Sequence, residues 1–425
     1  MKELAIPSTL TSDWKTIRFR YVTSTSKGRL PIQSQDQASV ESGGVPYLSM
    51  EYLRGNSEPT EFVSSEGMVK TEDGDILLLW DGSNAGEFIR AKYGAVSSTA
   101  ALVSPIKFNR DYLFWLCKGI EPILKTFTNG MGIPHVDGEI LKNLRIPFPS
   151  DESYRQAITN FLNSETLRID ALVAEKEKML ALLEEKRAAL ISRAVTRGLD
   201  PSAPLKPSSL DWLGDIPAHW EVWKLKYVVE KIGSGITPRG GAESYQLEGI
   251  PLFRSQNIHF DGLRMDDIVY VDAETHESMS NSKVLEGDVL INITGASIGR
   301  CFYVENLQGE ANVNQHVCIV RPAPKIETKF LYFTLRSDVG QHQIDLSQSG
   351  SGREGLNFES LGNFSVVIPP LSEQLAIIQR LETSGNRSTE LLNEIRNTIE
   401  RLKERRAALI TAAVTGQIPV EEMRS

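Results

Sequence analysis

The chain has 425 residues, 40% of them hydrophobic and 24% charged, with a formal net charge of −9, and this length predicts two or three globular domains. The most apolar run, residues 76–80, is far too short to cross a bilayer, and residues 1–7 lack the apolar stretch of a secretory signal, so we expect neither a membrane nor a secreted protein. Cys117, Cys301 and Cys318 form no CxxC pair, so we expect a cytoplasmic protein.

The first half of the chain predicts a globular unit followed by a long helix. A short helix is expected around Tyr112 to Cys117. From about Glu152 to Arg197 there is no Pro or Gly, and Ala, Leu, Glu, Lys and Arg dominate, which is typical of a helix. On this helix Leu172, Met179, Leu183 and Leu190 lie on one stripe of alternating three- and four-residue spacings, in which Lys176 and Lys186 fill the gaps.

The second half predicts the same order of elements after a proline-rich connection at residues 200–207, which cannot be helical. Short β-branched runs at 288–293, 316–320 and 364–368 predict strands, and a short helix is expected at 330–336. The second long helix carries its own stripe, formed by Leu391, Ile395, Leu402 and Leu409.

An internal repeat relates the two halves. Residues 185–196 and 404–415 are identical at nine of twelve positions, counted along EKRAALISRAVT and ERRAALITAAVT. Residues 74–86 align with 287–299 without a gap, and shorter echoes link 44–48 with 249–253. The chain therefore reads as a tandem duplication of one globular unit and one helix.

The two apolar stripes predict that the long helices bury each other as an antiparallel coiled coil. A plainer alternative is that each helix only covers its own domain. Thirty helical residues span roughly 50 Å, which is more than one compact domain needs. We therefore expect a mixed α/β protein with two similar globular domains, joined by two long helices that form the coiled coil.

The sequence lacks the motifs of several catalytic classes. It contains no Asn/Asp-Pro-Pro-aromatic motif of an amino-methyltransferase and no GxxxxGK[ST] phosphate loop. The six histidines are dispersed, and His316 and Cys318 lack further paired ligands, so no metal site is predicted. We expect a chain that binds without catalysing.

Three segments resemble the specificity subunit of type I restriction-modification systems. They are DWLGDIPAHW at 211–220, IPPLSEQ at 368–374 and RAALITAAVTG at 406–416. The resemblance covers essentially the whole chain, twice over. The first copy departs from it, because Tyr154-Arg155-Gln156 stands where the second copy has the Glu373-Gln374 pair.

This resemblance implies two target-recognition domains that each read half of a bipartite DNA site, with the helix pair setting the gap between the halves. Two methyltransferase subunits are implied as partners, and restriction subunits as further ones. S-adenosylmethionine, ATP and Mg²⁺ are expected on those partners and no cofactor on this chain. The implied divisions are a lead-in at 1–20, a first recognition domain at 21–150, a helix at 151–198, a linker at 199–225, a second recognition domain at 226–371, a helix at 372–416 and a tail at 417–425.

Candidate DNA contacts are polar residues in or near the aligned loops, since bases and phosphates are read by Arg, Asn, Gln, Lys and Ser. In the first half they are Arg54, Ser83, Asn84 and Lys92. In the second half they are Arg254, Gln256, Asn257, Ser297, Arg300, Asn314, Gln315 and Arg353.

Two other functions remain open from the residues alone. The acidic net charge of −9 favours a coiled-coil scaffold without DNA contact, because phosphate-binding proteins are usually basic. An enzyme with its own nuclease activity is the other alternative, and the missing motifs count against it.

Overall fold

The computed structural model describes residues 13–31, 44–128, 134–238, 240–348 and 355–424. It divides the chain into two compact units. Unit 1 contains Met1–Glu177 and Asn397–Ser425, and unit 2 contains Lys178–Arg396. Both units combine strands with helices, so the predicted mixed α/β class is confirmed. No helix in the described ranges has the length and apolar character needed to cross a membrane.

The described part of unit 1 contains short strands and short helices, in addition to parts of two long helices. The strands are β1 (Trp14–Arg18), β2 (Thr23–Lys27), β3 (Val45–Pro46), β4 (Phe62–Val63), β5 (Lys70–Thr71), β6 (Ile76–Leu79), β7 (Phe88–Arg90), β8 (Gly94–Ala95), β9 (Ala100–Pro105) and β10 (Arg145–Pro149). The short helices are α1 (Met50–Leu53), α2 (Arg110–Lys125) and α3 (Gly138–Asn143).

Unit 1 is built on an antiparallel sheet in the order β2-β9-β6-β7. Successive side chains of β6 point to opposite faces, and both faces are covered. Ile76 and Leu78 pack into the core formed with α2, whereas Leu77 and Leu79 pack into a second cluster on the other face. This two-sided burial explains why the run 76–80 is the most apolar in the chain.

Unit 2 contains a corresponding set of elements in its described residues. The strands are β11 (Leu205–Pro207), β12 (Asp215–Pro217), β13 (Glu221–Lys224), β14 (Val229–Ser234), β15 (Ile250–Phe253), β16 (Ile258–His259), β17 (Gly262–Leu263), β18 (Val269–Val271), β19 (Val289–Asn292), β20 (Cys301–Tyr303), β21 (Asn312–Val313), β22 (Val317–Pro322) and β23 (Ser365–Ile368). The short helices are α5 (Ala273–Ser278), α6 (Thr328–Arg336), α7 (Asp338–Gln348) and α8 (Phe358–Gly362).

The sheet of unit 2 has the order β14-β22-β19-β20, which is the same arrangement as in unit 1. Each unit also pairs its lead-in strand with the strand before the long helix, as β1 with β10 and β13 with β23. The strands predicted at 288–293, 316–320 and 364–368 are present as β19, β22 and β23. The predicted internal repeat is therefore confirmed in three dimensions.

Matched hydrogen bonds confirm the gap-free alignment of the repeats at the start of β6 and β19. The Gly74 N–H donates to Ala91 O at 2.9 Å, and the Gly287 N–H donates to Val304 O at 3.0 Å. Both glycines have positive φ, +83° and +85°, which an L side chain would strain. Each is followed by an aspartate whose carboxylate accepts a backbone N–H three residues earlier.

The two long helices are α4 (Glu152–Arg197) and α9 (Leu371–Val414). The bounds of α4 are those predicted, because a stretch without Pro or Gly stays helical until Gly198. In unit 2, Glu184 contacts Arg396, whereas Arg187, which comes later in α4, contacts Thr389, which comes earlier in α9. The two helices therefore run antiparallel there. The contacts are Glu184–Arg396 at 3.0 Å and Arg187–Thr389 at 3.4 Å in unit 2, and Asp170–Arg406 at 2.7 Å in unit 1.

Most residues predicted for the helix stripe face away from solvent. Ile395 is buried, and the half-buried positions are Leu172, Leu183, Leu190, Leu391, Leu402 and Leu409. Met179 differs from the prediction: it is 40% exposed, and Leu180 beside it is half-buried. Leu392 and Ile399, which the prediction omitted, are buried because the contact face drifts around a helix of 3.6 residues per turn.

The sequence IPPLSEQ ties the start of α9 to the rest of unit 2. The Trp220 indole N–H donates to the Glu373 carboxylate at 2.9 Å, and Trp220 is fully buried. The buried Gln374 amide accepts from the Glu327 N–H at 2.8 Å and donates to Pro369 O at 2.9 Å. This motif therefore fixes where the long helix leaves the globular part of the unit.

The three cysteines are free and buried, and their chemistry makes a testable prediction. Burial raises the pKa of the Cys301 and Cys318 thiols to about 12, and it raises the pKa of Cys117 as well. A thiol whose pKa is raised on folding stabilises the fold fully below its unfolded pKa of about 8.5 and loses that contribution as the pH rises.

We expect no reaction of the folded chain with a thiol-specific disulfide reagent at pH 8, and reaction of all three cysteines in denaturant. The free energy of unfolding, measured with urea, should fall as the pH rises above about 8.5. A thiol that reacts in the folded chain at pH 8 would contradict this prediction.

Candidate nucleic-acid interface

Three loops of unit 2 meet at one end of its main sheet, and they carry most of the predicted DNA contacts. The turn 293–300 joins β19 to β20, the loop 254–257 follows β15, and the loop 314–316 precedes β22. The Ile293 N–H donates to His316 O at 3.0 Å, and the Asn314 N–H donates to Phe253 O at 3.0 Å. We call these three loops the unit 2 loop cluster.

Asn257 and Asn314 are both buried residues of this cluster, although both are predicted as base readers. Asn257 is fully buried, its Oδ1 accepts the Arg254 N–H at 2.9 Å, and its Nδ2 donates to Arg264 O at 2.9 Å. Asn314 is 6% exposed, and its Oδ1 accepts the His316 N–H at 3.1 Å. Both polar atoms of the Asn257 amide shape the loop, so we assign Asn257 to loop geometry instead of DNA contact, whereas DNA contact by Asn314 stays a prediction.

The Arg254 side chain also makes contacts within the protein. Its Nη2 donates to Asp267 O at 2.6 Å, and its guanidinium lies 5.7 Å from the centre of the Tyr245 ring. Its Nε is buried without a hydrogen-bond partner among the described residues. The side chain is thus held in place, with part of its donor capacity unused.

Other predicted residues of the unit 2 loop cluster keep their side chains accessible. Gln256 and Gln315 are exposed, and Gln315 Nε2 contacts the His316 ring nitrogen at 2.9 Å. Arg300 is half-buried, and its guanidinium has no ion-pair or hydrogen-bond partner within the described part of the chain. Ser297 accepts from Asn292 Nδ2 at 3.1 Å. Arg353 lies outside the described residues.

The equivalent turn of unit 1, residues 80–87, has the same backbone pattern. The Gly86 N–H donates to Leu79 O at 2.8 Å, and the Gly299 N–H donates to Asn292 O at 2.9 Å. Ser83 is exposed at the tip of this turn, as is its neighbour. The exposed neighbour is Asn84, which is the repeat equivalent of Ser297.

The predicted cations of unit 1 are held by protein groups beside this turn. Arg54 forms an ion pair with Glu87 at 3.0 Å, and Glu87 occupies the position equivalent to Arg300. The Lys92 ammonium lies 4.3 Å from the centre of the Tyr52 ring. The same turn therefore carries a paired carboxylate in one repeat and an unpaired guanidinium in the other.

Two polar groups of these loops were missed by the sequence analysis. Asn292 is fully buried, and its Nδ2 donates to Ser255 O at 2.8 Å, which links two loops of the unit 2 loop cluster. In unit 1, Lys27 forms an ion pair with Asp81 at 2.9 Å on the turn 80–87. No sequence signal distinguishes these residues, because their contacts come from distant parts of the chain.

The match of this chain to a known protein family falls into two ranges, one in each half of the internal repeat. Residues 11–178 and 217–401 match the type I restriction modification DNA specificity domain. The chain belongs to this DNA specificity family. Each half of the internal repeat contains one of the two matches.

Individual relatives of the specificity family match over most of this chain. The type I restriction enzyme MjaVIII specificity subunit of Methanocaldococcus jannaschii is 28% identical over 418 residues, which are 97% of this chain and 94% of that subunit. The type I restriction enzyme EcoBI specificity subunit of Escherichia coli is 24% identical over 325 residues, covering 74% of this chain and 67% of that one.

A solved chain from a study of the complex assembly and conformational transition of the type I R-M system has the same fold. Its TM-score is 0.71 at 17% sequence identity, and the match covers 97% of this chain and 100% of that chain. This likeness confirms the predicted architecture for a member of the specificity family.

The first repeat departs from the motif IPPLSEQ, and the structure shows what replaces it. At the start of α4, Arg155 Nη1 donates to Pro149 O and to Ser150 O, both at 2.8 Å. In the second repeat the equivalent link is made by the Gln374 amide to Pro369 O. A different side chain thus holds the end of the strand against the start of the helix.

Proposed function

We propose that this chain is the sequence-recognition subunit of a type I restriction-modification complex, in which each unit reads one half of a bipartite DNA site. The observation that carries the proposal is the match of both repeats to the DNA specificity domain. It favours a DNA reader over a coiled-coil scaffold without DNA contact. In unit 2, the side chains offered to the DNA are Gln256, Arg300 and Gln315.

The long helices have two roles in this proposal. They hold the two recognition domains at a fixed spacing, because a helix pair is rigid, and so they set the gap between the half-sites. They also provide the surface on which two methyltransferase subunits dock, with restriction subunits joining the complex. Half-sites about one helical turn of DNA apart, roughly 34–36 Å, lie on the same face of the duplex.

The chemistry belongs to the partners in this proposal, and the chain itself is not catalytic. S-adenosylmethionine, ATP and Mg²⁺ are bound by the other subunits. Methylation requires the target adenine to leave the base stack, so this chain contributes a stable grip beside the enzyme that extrudes the base. The net charge of −9 fits a subunit that shares phosphate contacts with its partners.

The test is to map methylated adenines in a methylation-free host that expresses the partner methyltransferase with and without this chain. We expect a two-part motif to become methylated only when the chain is present. A Gln256→Ala, Arg300→Ala double variant should lose or relax specificity in one half of the motif only. An unchanged methylation pattern without the chain, or a motif in one continuous block, would refute the proposal.

Two single variants separate DNA contact from loop structure. We expect Arg300→Ala to weaken binding of cognate DNA by roughly 1–3 kcal/mol without changing the unfolding temperature. Asn257→Ala should instead destabilise unit 2 by about 2 kcal/mol, because it removes a fully buried amide and leaves the Arg254 N–H and the Arg264 carbonyl without this partner. Gel shifts with the methyltransferase present and thermal unfolding measure the two effects.

The control is Gln308→Ala, since this exposed glutamine lies beyond the opposite end of β20 from the turn 293–300. It should change neither DNA affinity nor unfolding temperature. If Arg300→Ala binds DNA like the parent chain, Arg300 is removed from the interface.

A further inference from the structure

The fold places one histidine and two glutamates of unit 2 around a common point. His276 and Glu277 lie on α5, and Glu310 lies in the segment before β21. Among the described residues, these three side chains form a group whose possible ligand atoms all lie within 4.8 Å of one another. The sequence analysis predicted no metal site, because the glutamate that completes the group is distant in the chain.

The imidazole of His276 is buried and held in one orientation. It is 1% exposed, and its Nδ1 contacts Asn312 Oδ1 at 2.6 Å. The Asn312 amide cannot be reversed without loss, because its Nδ2 donates to Ser282 Oγ at 2.7 Å while the Ser282 hydroxyl donates to Met279 O. Asn312 Oδ1 is therefore the acceptor, and His276 Nδ1 carries the proton.

The other ring nitrogen of His276 consequently points its lone pair at two carboxylates. Nε2 is buried and makes no hydrogen bond with any described residue. It lies 3.3 Å from Glu310 Oε1 and 3.7 Å from Glu277 Oε1. A lone pair facing two carboxylate oxygens is repulsive unless a cation lies between them.

We propose that His276 Nε2, Glu310 and Glu277 bind a divalent transition-metal cation of the zinc type. Ligand atoms 2.0–2.2 Å from a tetrahedral zinc ion lie roughly 3.3–3.6 Å apart. The distance of 3.3 Å from Nε2 to Glu310 falls in this range, and the distance of 3.7 Å to Glu277 lies just above it. One imidazole with two carboxylates suits zinc and its neighbours, whereas Mg²⁺ prefers oxygen ligands alone.

The surroundings of the group resemble the outer shell of a metal site. A metal-bound histidine usually donates its second ring N–H to an oxygen, as His276 does to Asn312. The Lys283 ammonium contacts Glu277 Oε1 at 2.7 Å and offsets part of the negative charge of the group. An open cavity of about 230 Å³, lined in part by His276 and Glu310, gives an ion access from solvent.

A bound cation would join α5 to the segment before β21. The Val284 N–H, in the segment after α5, already donates to Ala311 O at 2.9 Å, so the metal would add a second link next to an existing one in the second recognition domain. Its role is structural, and it does not depend on the proposed DNA function.

The test is titration of the chelator-treated full chain with Zn²⁺ alone, followed by calorimetry and thermal unfolding. We expect saturable binding of one ion per chain, a higher unfolding temperature on loading, and much weaker binding of Mg²⁺. A Glu277→Gln, Glu310→Gln double variant leaves the buried histidine in place and should bind Zn²⁺ at least about ten-fold more weakly. Glu274→Gln, an exposed glutamate of the same helix outside the group, is the matched control and should bind like the parent chain.

Absence of saturable Zn²⁺ binding would overturn the proposal. Unchanged affinity in the double variant would also overturn it, because the ion would then be bound elsewhere. If the double variant loses Zn²⁺ binding but still supports DNA methylation, the ion has a structural role. The methylation map tests the proposed DNA function separately.

Discussion

Replacing Gly235 by alanine should destabilise unit 2 strongly, although the change adds only one methyl group. Gly235 follows β14, and a Cβ built on it would lie 1.6 Å from Val313 O and 2.4 Å from Val313 C. These are backbone atoms, so no side-chain rotation relieves the overlap, and the strand itself must move. We expect a cost at or above the upper end of about 1–3 kcal/mol. For a unit of this size that corresponds to a fall in unfolding temperature of about 6–12 °C.

Gly233 provides the matched control, because it lies only two residues earlier, in β14, and has room for a methyl group. The nearest heavy atom to a Cβ at Gly233 is Lys231 Cε at 3.7 Å, an ordinary contact. Gly233→Ala should leave the unfolding temperature unchanged or raise it slightly, since alanine restricts the unfolded chain. Thermal unfolding of both variants checks the prediction. Equal unfolding temperatures for Gly235→Ala and the parent chain would show that the close approach to Val313 is absent.

The second large effect is expected at Asp288, whose carboxylate is fully buried. Arg321 donates to it through Nε at 2.7 Å and Nη2 at 2.9 Å, and the Leu285 N–H donates to it at 2.8 Å. The carboxylate raises the pKa of Arg321, whereas burial and the positive charge of Arg321 lower the pKa of Lys231. Asp288→Ala leaves two cations facing each other, and we expect a loss of about 3–5 kcal/mol.

The repeat supplies a comparison for this prediction in the same chain. Asp75, the equivalent residue of unit 1, has a side chain that is 22% exposed and makes a single ion pair, with Arg110 at 3.3 Å. Asp75→Ala should therefore cost only about 1 kcal/mol. Urea unfolding, with hydrogen exchange of residues 72–79 and 285–292, distinguishes the two units. Equal costs at the two positions would contradict the explanation from burial.

A double variant tests whether the lost stability comes from an unpaired charge. Removing both partners of a buried pair costs less than removing one, because no uncompensated charge remains. We expect Asp288→Leu with Arg321→Met to recover a substantial part of the stability that Asp288→Ala loses. If the double variant recovers none of this stability, the stability lost in Asp288→Ala comes instead from the hydrogen bond of the Leu285 N–H to Asp288.

The parts of the fold that were predictable are those encoded by local patterns. The bounds of α4 follow from a long stretch without Pro or Gly, and the sheet strands follow from short β-branched runs between turn residues. The repeat is visible from the near-identity of residues 185–196 and 404–415, and its extension into the sheets follows glycines that need positive φ in both copies, Gly74 with Gly287 and Gly86 with Gly299. These features depend on neighbours in the sequence, so they can be read from it.

The side-chain roles at the loops depended on contacts that no local pattern shows. Asn257 has the chemistry of a base reader, yet its amide closes a turn, whereas Arg300 nearby has a guanidinium that is left unpaired among the residues that the structure describes. Residue type predicted the region, but the direction of each side chain is set by backbone geometry that arises on folding. Met179 and Leu180 differ for a related reason, because one residue of rotation decides which of them faces the partner helix.

Unit 1 combines two stretches of the chain that are separated in sequence by unit 2, and this has a consequence for protein synthesis. Its core contains Phe19 and Phe88 from the beginning of the chain and Ile410, Val414 and Met423 from the end. The residues of this core that follow unit 2 in sequence are translated only after every residue of unit 2. The core of unit 1 therefore stays incomplete while unit 2 is being synthesised. A truncation just after residue 396 would thus damage unit 1, although most of unit 1 lies more than 200 residues earlier in the chain.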